Sequence, residues 1–444
     1  MHAPWMKLYH NKNSISIPFV NDVTLFQAFK PVIDKHQADI AFTCNQMSLS
    51  YRDLGIVAEQ FAVSLQKDLN VERGARVIIL LPNMPQLPVI QLAVWQIGGV
   101  CVCLNSESSD EIVEFVIKDS NPSVMVMLSE REQELSLILA RYQELKVVTL
   151  ENVDHLPVWN AVPRKAAKQV RRIFSKSPAL PFMTAIRRAK GRKLDEIRVN
   201  DSDLALIQYG TSQADQLNGI MITHKNLVAN MQQILQFISA SLQEADVIAA
   251  VVNLSDVSEF SVGLFPFLYL GKHVKIVNHC EIRNDRLLSK TFTEYCTVVA
   301  PATTLRKFRR VDTPSALKLR TLVSYGGNLS SAEKSEVSYG TGVTVIEIFG
   351  SAECTGAALM TPQRLDCPEG ASGIPLPLTE ARIVDANGDD IEVGNTGELW
   401  IKGPQVMRGI WRKADYSWRF VSDGWLKTKH RARTDEKGYF YFVD

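Results

Sequence analysis

Three segments of the sequence place glycines and small polar residues directly after an apolar stretch. In the first, which spans 206–219, apolar residues lead into Tyr209, Gly210, Thr211 and Ser212. Such a loop can offer backbone N–H groups and hydroxyls to a phosphate. It holds no lysine and is not a Walker motif, so by itself it also fits an ordinary surface loop.

The second segment ends an apolar stretch with Gly326, Gly327 and Asn328. Glycines let the backbone approach a ligand closely, and open α/β sheets bind ligands at the carboxyl ends of their parallel strands. A tight strand-to-helix turn explains the same residues equally well.

The third segment, at 346–354, ends an apolar stretch with an aromatic ring and places a carboxylate four residues later. The ring of Phe349 could stack on a base, Gly350 and Ser351 follow it, and Glu353 could hold Mg²⁺. The alternative is a core phenylalanine beside a solvated glutamate.

In this order and spacing, the three segments resemble the adenylate-forming family that includes acyl-CoA synthetases. Over most of its length the chain is most similar to the bacterial long-chain fatty acyl-CoA ligases of that family. The stretch 47–54 resembles the family's opening hairpin and helix, and 74–83 resembles its first sheet strand with the following Pro-Asn turn. The most specific matches lie near the end of the chain, at 372–377, 394–409, 423–426 and 435–440.

The resemblance implies a reaction in which ATP and a carboxylic acid form an acyl-adenylate, which the thiol of coenzyme A then attacks. It implies Mg²⁺ and ATP as cofactors and coenzyme A as co-substrate. It assigns catalysis to Glu353, Thr211 and Ser212, with Glu353 also as the metal ligand. The nucleotide-binding residues that it implies are Tyr209, Gly210, Thr211, Ser212, Gly326, Gly327, Asn328, Phe349, Gly350, Ser351 and His430.

Four positions that handle ATP depart from the family pattern. Asn218 stands where the phosphate loop ends in lysine, and Asp215 adds a negative charge to that loop. Ala352 replaces the threonine before the metal carboxylate, and His430 replaces the aspartate that binds the ribose hydroxyls. Two unit charges about 4 Å apart interact by about 4 kcal/mol at an effective dielectric constant of about 20, so Asp215 would oppose polyphosphate. We therefore expect weak or absent activity with ATP.

The resemblance also implies an acyl pocket. Where the family tends to carry an aromatic residue and a histidine, this chain has Ser255 and Asp256. Apolar residues after them could line a tunnel for a long chain, because burial contributes about 0.8 kcal/mol per methylene. A core helix without a tunnel explains the same helical spacing equally well. The pocket residues predicted in this way are Asp256, Val257, Phe260, Gly263 and Leu264.

Three functions fit these motifs. The first is a long-chain fatty acyl-CoA synthetase homologue, an acid–thiol ligase whose ATP-dependent adenylation is impaired in this chain. The second is a non-catalytic relative that binds a fatty acid, an acyl-adenylate or a protein partner. The third is a fatty acyl-AMP ligase that transfers the acyl group to a carrier protein.

Strand-like and helix-like segments alternate along most of the chain. The candidate strands are 76–81, 100–104, 123–128, 146–150, 246–252, 273–277, 296–300, 319–324 and 343–348, and apolar residues recur at helical spacing at 86–97 and 227–238. The alternation predicts an α/β fold with two stacked, doubly wound sheets that are mostly parallel. Short strands between glycine turns after about residue 373 predict a small β-barrel-like subdomain. We expect a first α/β subdomain at 1–200, a second one with the nucleotide motifs at 201–372, and the β subdomain at 373–444. The family's C-terminal domain would begin beyond that point and is expected to be absent from this chain.

Composition and charge limit the partners. The net charge of +1 creates no global field that would attract nucleic acid, so none is predicted. Seven scattered cysteines without a CxxC pair favour a reducing compartment over a zinc site or a disulfide framework. We predict a cytoplasmic protein that binds a fatty acid or an acyl-adenylate, and a homodimer stays open.

The segment 155–194 contains many basic residues and no acidic ones. It is either a solvated linker between the two sheets or a basic amphipathic surface for anionic lipid headgroups. The second alternative predicts a protein that is peripheral to the inner membrane face.

Overall fold

The computed structural model describes residues 4–9, 19–44, 47–151, 179–210, 217–239, 242–243, 246–278, 297–310, 319–343, 345–362, 367–413, 417 and 419–443. Within these residues, the strands form an eight-stranded, a nine-stranded and a five-stranded sheet. The two large sheets are mostly parallel, and the small sheet is antiparallel. The predicted α/β fold with two large sheets and a small C-terminal β subdomain is thus confirmed.

The strands are β1 (Ile40–Cys44), β2 (Met47–Ser50), β3 (Arg76–Leu80), β4 (Val100–Leu104), β5 (Val124–Leu128), β6 (Lys146–Leu150), β7 (Leu180–Pro181), β8 (Leu204–Tyr209), β9 (Gly219–Thr223), β10 (Val247–Val251), β11 (His273–Val277), β12 (Thr297–Pro301), β13 (Thr321–Tyr325), β14 (Val345–Phe349), β15 (Leu359–Met360), β16 (Ile374–Pro375), β17 (Glu380–Val384), β18 (Gly397–Lys402), β19 (Gly409–Ile410), β20 (Val421–Ser422), β21 (Trp425–Thr434) and β22 (Phe440–Phe442). The α-helices are α1 (Leu25–Lys35), α2 (Tyr51–Lys67), α3 (Gln86–Gln96), α4 (Asp110–Ser120), α5 (Ser129–Glu134), α6 (Ser136–Leu139), α7 (Phe182–Ala189), α8 (His224–Ile238), α9 (Val257–Gly263), α10 (Phe265–Tyr269), α11 (Ala302–Leu305) and α12 (Ser331–Thr341).

The strand order of each sheet shows how the chain crosses between them. The eight-stranded sheet has the order β19-β9-β8-β4-β3-β5-β6-β7, and the nine-stranded sheet has the order β16-β15-β14-β13-β12-β10-β11-β1-β2. In the small sheet the order is β17-β18-β21-β20, and β22 pairs with β21. The hairpin β1–β2 belongs to the nine-stranded sheet, whereas β8 and β9 belong to the eight-stranded one. Membership in a sheet therefore does not follow the predicted subdomain boundary at residue 200, and the subdomain division stays a prediction.

Helix α8 starts three residues before the predicted apolar stretch at 227–238. Thr223 caps the helix, because its hydroxyl oxygen accepts the Asn226 N–H at 3.2 Å while the Asn226 side chain accepts the Thr223 N–H at 2.9 Å. This reciprocal cap lets the helix begin directly after β9.

The largest core cluster joins both large sheets through α3. Every residue of α3 except Gln96 is buried, as expected for a helix with apolar residues on all sides. The cluster includes Ile79 of the eight-stranded sheet, Trp95 of the helix and Ala250 of the nine-stranded sheet. The shared core holds the two large sheets together, and with them the strand ends that carry the predicted motifs. Across the described part of the chain, none of the helices has the length and apolarity needed to cross a membrane.

Candidate functional site

The ends of β13 and β14 bring two of the predicted segments side by side. The two strands pair in parallel, with Ser324 opposite Glu347. Gly326 and Gly327 follow β13, and Phe349 ends β14, so all three lie at the carboxyl edge of the nine-stranded sheet. Ligands bind at this edge in open α/β sheets.

The turn after β13 leaves its backbone accessible. Gly326 has a φ of 66° and Gly327 a φ of 148°, a region that favours glycine. A Cβ on Gly326 would meet no atom within 4 Å apart from its chain neighbours, and a Cβ on Gly327 would meet Ala302 Cβ at 3.6 Å. Gly326, Gly327 and Asn328 are all exposed, so a ligand can reach their backbone groups.

Phe349 belongs to an aromatic cluster that also contains two residues of the small sheet. The centroid of its ring lies 4.1 Å from that of Phe442, with the planes tilted by 38°. The imidazole of His430 packs edge-on against Phe349 at 5.1 Å. The structure therefore brings together Phe349 and His430, which the sequence predicts at the base and the ribose, and adds Phe442 to them.

Gly350 and Glu353 follow the aromatic cluster. A Cβ on Gly350 would lie 2.2 Å from the Gly356 carbonyl oxygen, so close backbone packing alone explains this glycine. Ser351 and Glu353 are half-buried, and the Glu353 carbonyl accepts the Met407 N–H at 2.8 Å. Across the described residues there is no group of three or more His, Cys, Asp or Glu side chains that could hold a metal ion. Glu353 is therefore not part of a preformed metal cluster there.

Tyr209 uses its hydroxyl within the protein. The residue is buried, and its O–H donates to Asp119 Oδ2 at 2.5 Å. Burial raises the pKa of the phenol, and the hydrogen bond to Asp119 raises it further. Gly210 is exposed at the end of β8, and Thr211, Ser212 and Asp215 lie outside the described residues.

A cation lies beside Asn218 although the sequence has no lysine at that position. Lys413 Nζ donates to Asn218 Oδ1 at 2.8 Å. Lys413 comes close because β19 pairs antiparallel with β9, and the Trp411 N–H donates to the Gly219 carbonyl at 2.7 Å.

Asp256 and Glu259 lie at the start of α9, near the end of β13. Asp256 Oδ1 accepts the N–H and the hydroxyl of Ser258, at 2.8 and 2.5 Å. Burial raises the pKa of the Asp256 carboxyl, and the charge of Glu259 adds to the shift. The Tyr325 hydroxyl donates to Glu259 Oε2 at 2.8 Å, and burial raises the pKa of this phenol as well. A ligand anion would be unfavourable beside these two carboxyl groups.

The apolar residues predicted for the acyl pocket are buried in the core. Val257, Phe260 and Leu264 are fully buried. A Cβ on Gly263 would lie 2.4 Å from Val252 Cγ1, which leaves no room for a ligand group beside this glycine. The acyl pocket stays a prediction.

Residues 29–411 match the family model described as AMP-binding enzyme. The chain belongs to this family. Among curated relatives, the long-chain-fatty-acid–CoA ligase of Yersinia pestis is 27% identical over an alignment of 464 residues that covers 100% of this chain and 80% of the ligase.

Solved structures of related proteins have the same fold. ATP-bound MatB from Rhodopseudomonas palustris has a TM-score of 0.80 at 19% identity and covers 95% of this chain and 78% of its own. The N-terminal domain of FACL13 from Mycobacterium tuberculosis has a TM-score of 0.74 at 16% identity, with coverage of 95% and 100%. At these identities the likeness establishes the fold alone.

The sequence patterns gave no role to three residues that contact the predicted segments: Phe442 beside Phe349, Lys413 beside Asn218, and Glu347 within β14. Glu347 carries a signal, since it is a charged residue within an apolar strand. Phe442 carries a weaker one, as an aromatic residue in the last strand. Nothing in the sequence marks Lys413, because its position depends on the pairing of β19 with β9.

Proposed function

We propose that this chain is a long-chain fatty acyl-CoA ligase homologue that holds an adenylate but adenylates acids with ATP weakly or not at all. Membership in the AMP-binding family implies ATP use and coenzyme A as co-substrate. The curated long-chain-fatty-acid–CoA ligases that it resembles support fatty acids as the acid class. The aromatic cluster of Phe349, His430 and Phe442 supports the other two parts of the proposal, which are adenylate binding and weak adenylation with ATP.

A base that stacks on Phe349 must compete with Phe442. Aromatic rings pair at centroid separations of about 4.5–7 Å. The rings of Phe349 and Phe442 are already 4.1 Å apart, so a base on this face of Phe349 has to displace Phe442. Phe349 would thus supply the ring that stacks on adenine, and stacking on the face that Phe442 covers would require a side-chain movement.

The ribose and phosphate positions fit ATP less well. A neutral imidazole accepts one hydrogen bond, so His430 cannot take both ribose hydroxyls as a carboxylate does. Lys413 supplies one ammonium group beside Asn218, where the family has a lysine. Glu353 would be the Mg²⁺ ligand, and carboxylate oxygen suits this ion.

ATP, where it binds, supplies the leaving group that activates the acid. The residues of this chain then position the reactants. Gly326 and Gly327 follow β13 and Phe349 ends the neighbouring parallel strand β14, so the turn and the ring can hold the adenine from two sides. Positioning and neutralisation of charge are the main sources of catalysis in such a step, and the second of these is the one weakened here.

A second candidate is a non-catalytic protein that binds an acyl-adenylate. It is favoured by the same contrast, because the groups that contact the base remain while those that handle ribose and phosphate are altered. In this case the ligand would bind and no pyrophosphate would be released.

Calorimetric titrations with Mg·ATP, and then with a long-chain acyl-adenylate analogue, test the proposal. We expect the analogue to bind more tightly than Mg·ATP, since it adds apolar contacts and lacks the β- and γ-phosphates. Micromolar binding of Mg·ATP, or pyrophosphate release that depends on fatty acid at a rate typical of ligases, would contradict the impaired step. No binding of either ligand at millimolar concentration would contradict the adenylate site itself.

A further inference from the structure

Glu347 is a buried carboxylate in β14, two residues before Phe349. Only 5% of the residue is exposed, and the other residues of the strand are apolar. A buried charge needs an ion-pair partner and hydrogen bonds, because its transfer from water is costly. Its partners therefore show what the carboxylate is tied to.

The carboxylate joins β14 to the turn and the helix that follow β13. Glu347 Oε1 accepts the Leu329 N–H at 2.9 Å, and Oε2 forms an ion pair with Lys334 of α12. The strand itself is fixed at this residue, since the Glu347 N–H donates to Thr361 Oγ1 at 2.7 Å and the Thr361 N–H donates to the Glu347 carbonyl at 2.9 Å. The Leu329 backbone is thus connected to a strand position that cannot shift freely.

Arg306 holds the same turn from another element. Its Nη2 donates to the Asn328 carbonyl at 3.0 Å, and its Nε donates to Glu333 Oε1 at 2.9 Å. Two successive backbone groups of the turn are therefore bound by charged side chains. Such ties matter here because the turn contains two glycines, which lose more conformational freedom on ordering than other residues.

We propose that Glu347 is a positioning residue, which sets the distance between the 326–329 turn and the ring of Phe349 through its bond to Leu329. The inference rests on the proposed function, since a ligand held between turn and ring would sense that distance. Glu347 and Phe349 are alternate residues of one strand, so their side chains lie on the same face. Glu347 acts through the turn and does not touch the ligand.

A purely stabilising ion pair is the other role open to Glu347, and Asp246 offers a matched comparison. Asp246 is 4% exposed and pairs with Arg320. It precedes β10, at the opposite end of the same sheet from the turn. Loss of either carboxylate should lower Tm, but only the loss of Glu347 should change the turn.

The experiment compares Glu347→Ala, Glu347→Gln, Lys334→Met and Asp246→Asn in the full chain. Hydrogen exchange followed by mass spectrometry reports on residues 325–331, and saturation-transfer NMR with AMP measures weak nucleotide binding. We expect Glu347→Ala to speed exchange in the turn and to weaken AMP binding, each by about tenfold, the effect of one lost hydrogen bond. Glu347→Gln should rescue most of both, because its amide oxygen still accepts the Leu329 N–H. Lys334→Met should also leave this bond in place, and Asp246→Asn should lower Tm alone.

The positioning role is overturned if Glu347→Ala and Asp246→Asn give the same exchange in the turn and the same AMP binding. It is also overturned if Glu347→Gln behaves like Glu347→Ala, since the bond to Leu329 would then not be what matters. An absence of AMP binding in the parent chain is a different result: it overturns the proposed adenylate site, and with it the nucleotide role of Glu347. A parent that binds AMP while Glu347→Ala binds it equally well overturns the positioning role alone.

Discussion

Helix α9 and the turn after β13 were both predicted to face a ligand. In the structure, α9 is buried in the core and the turn is exposed. In α9, Val257 and Phe260 have no exposed surface, and Gly263 is pressed against Val252. In the turn, Gly326 has open space where a side chain would be, and charged side chains hold the backbone from behind. The first region is built from apolar contacts and the second from hydrogen bonds to backbone groups.

The difference shows how well each of the two sequence patterns predicts a ligand site. Apolar residues at helical spacing indicate a buried face, and that face is the protein core far more often than a ligand tunnel. A glycine pair at the end of a parallel strand indicates backbone with positive φ angles. In this protein the same backbone is also exposed, so a ligand can reach it. Substitutions in each region, and a change of pH, distinguish the buried region from the open one by experiment.

The largest effect should come from Phe260→Ala in the buried helix. The ring is fully buried and packs on Phe265 at 4.9 Å. Truncation of such a ring typically lowers the free energy of unfolding by about 3–5 kcal/mol, which urea denaturation would measure. A loss below about 1 kcal/mol would show that Phe260 faces an open tunnel, and the acyl-pocket prediction would gain support.

Low pH should lower the free energy of unfolding through His224, a buried residue that begins α8. Burial lowers the pKa of His224 from 6.5 to about 4, although the charge of Asp203 opposes the shift. Its Nδ1 accepts the Leu25 N–H at 3.3 Å and must be unprotonated to do so. The unfolded chain therefore takes up the proton first, so the contribution is complete above pH 6.5 and is lost as the pH falls toward 4.

The expected loss over that range is about 3 kcal/mol. Urea denaturation at a series of pH values would measure it, with His224→Gln as the control that lacks the titrating ring. Parallel pH curves for the two proteins would contradict the assignment.

On the open side, His430→Asp should strengthen AMP binding. A carboxylate can accept both ribose hydroxyls, and a charge-assisted hydrogen bond contributes about 1.5–3 kcal/mol, or roughly a tenfold to hundredfold change in Kd. Asn218→Lys should add less, because Lys413 already lies 2.8 Å from Asn218 and two ammonium groups would repel each other. His430→Asn serves as the neutral control. If none of these variants changes the affinity measured by saturation-transfer NMR, the alignment of His430 with the family aspartate is wrong.

The smallest effect should come from Gly326→Ala in the turn. There is space for the methyl group, but a φ of 66° costs a residue with a Cβ about 1–2 kcal/mol. Thermal unfolding would measure the loss, and Asn328→Ala, which removes only an exposed side chain, should stay within about 0.5 kcal/mol of the parent. Equal stability of the Gly326→Ala variant would show that the turn changes its conformation in solution.

The sequence predicted nine strands of the two large sheets, β3 to β6 and β10 to β14, with end points that shift by at most two residues. The predicted strands 146–150 and 273–277 match β6 and β11 fully. Short apolar runs with β-branched residues are a local signal, and strands buried on both faces carry it strongly. The start of α8 was missed, since the cap between Thr223 and Asn226 is made of polar residues that the apolar pattern does not include.

The candidate site was predicted only in part. Phe349, Gly326 and Gly327 were found because each follows an apolar stretch in a recognisable pattern. Phe442 and Lys413 were missed, because each reaches the site through the pairing of a late strand, β22 with β21 and β19 with β9. β19 and β9 are far apart in the chain, and β22, although it forms a hairpin with β21, meets Phe349 of a different sheet. Such contacts leave no mark in the local spacing of residues.

The sequence by itself determined the family and the alternation of strands and helices, and it led to the predicted departures at Asn218, Ala352 and His430, because side-chain identity and local periodicity are properties of the chain. Only the tertiary structure decided that α9 packs into the core, that Lys413 lies beside Asn218, that Phe442 covers Phe349 and that Glu347 holds Leu329. Each of these depends on which strands become neighbours. That choice is made by the burial of whole sheet faces, to which many residues contribute a little and none contributes a local signal.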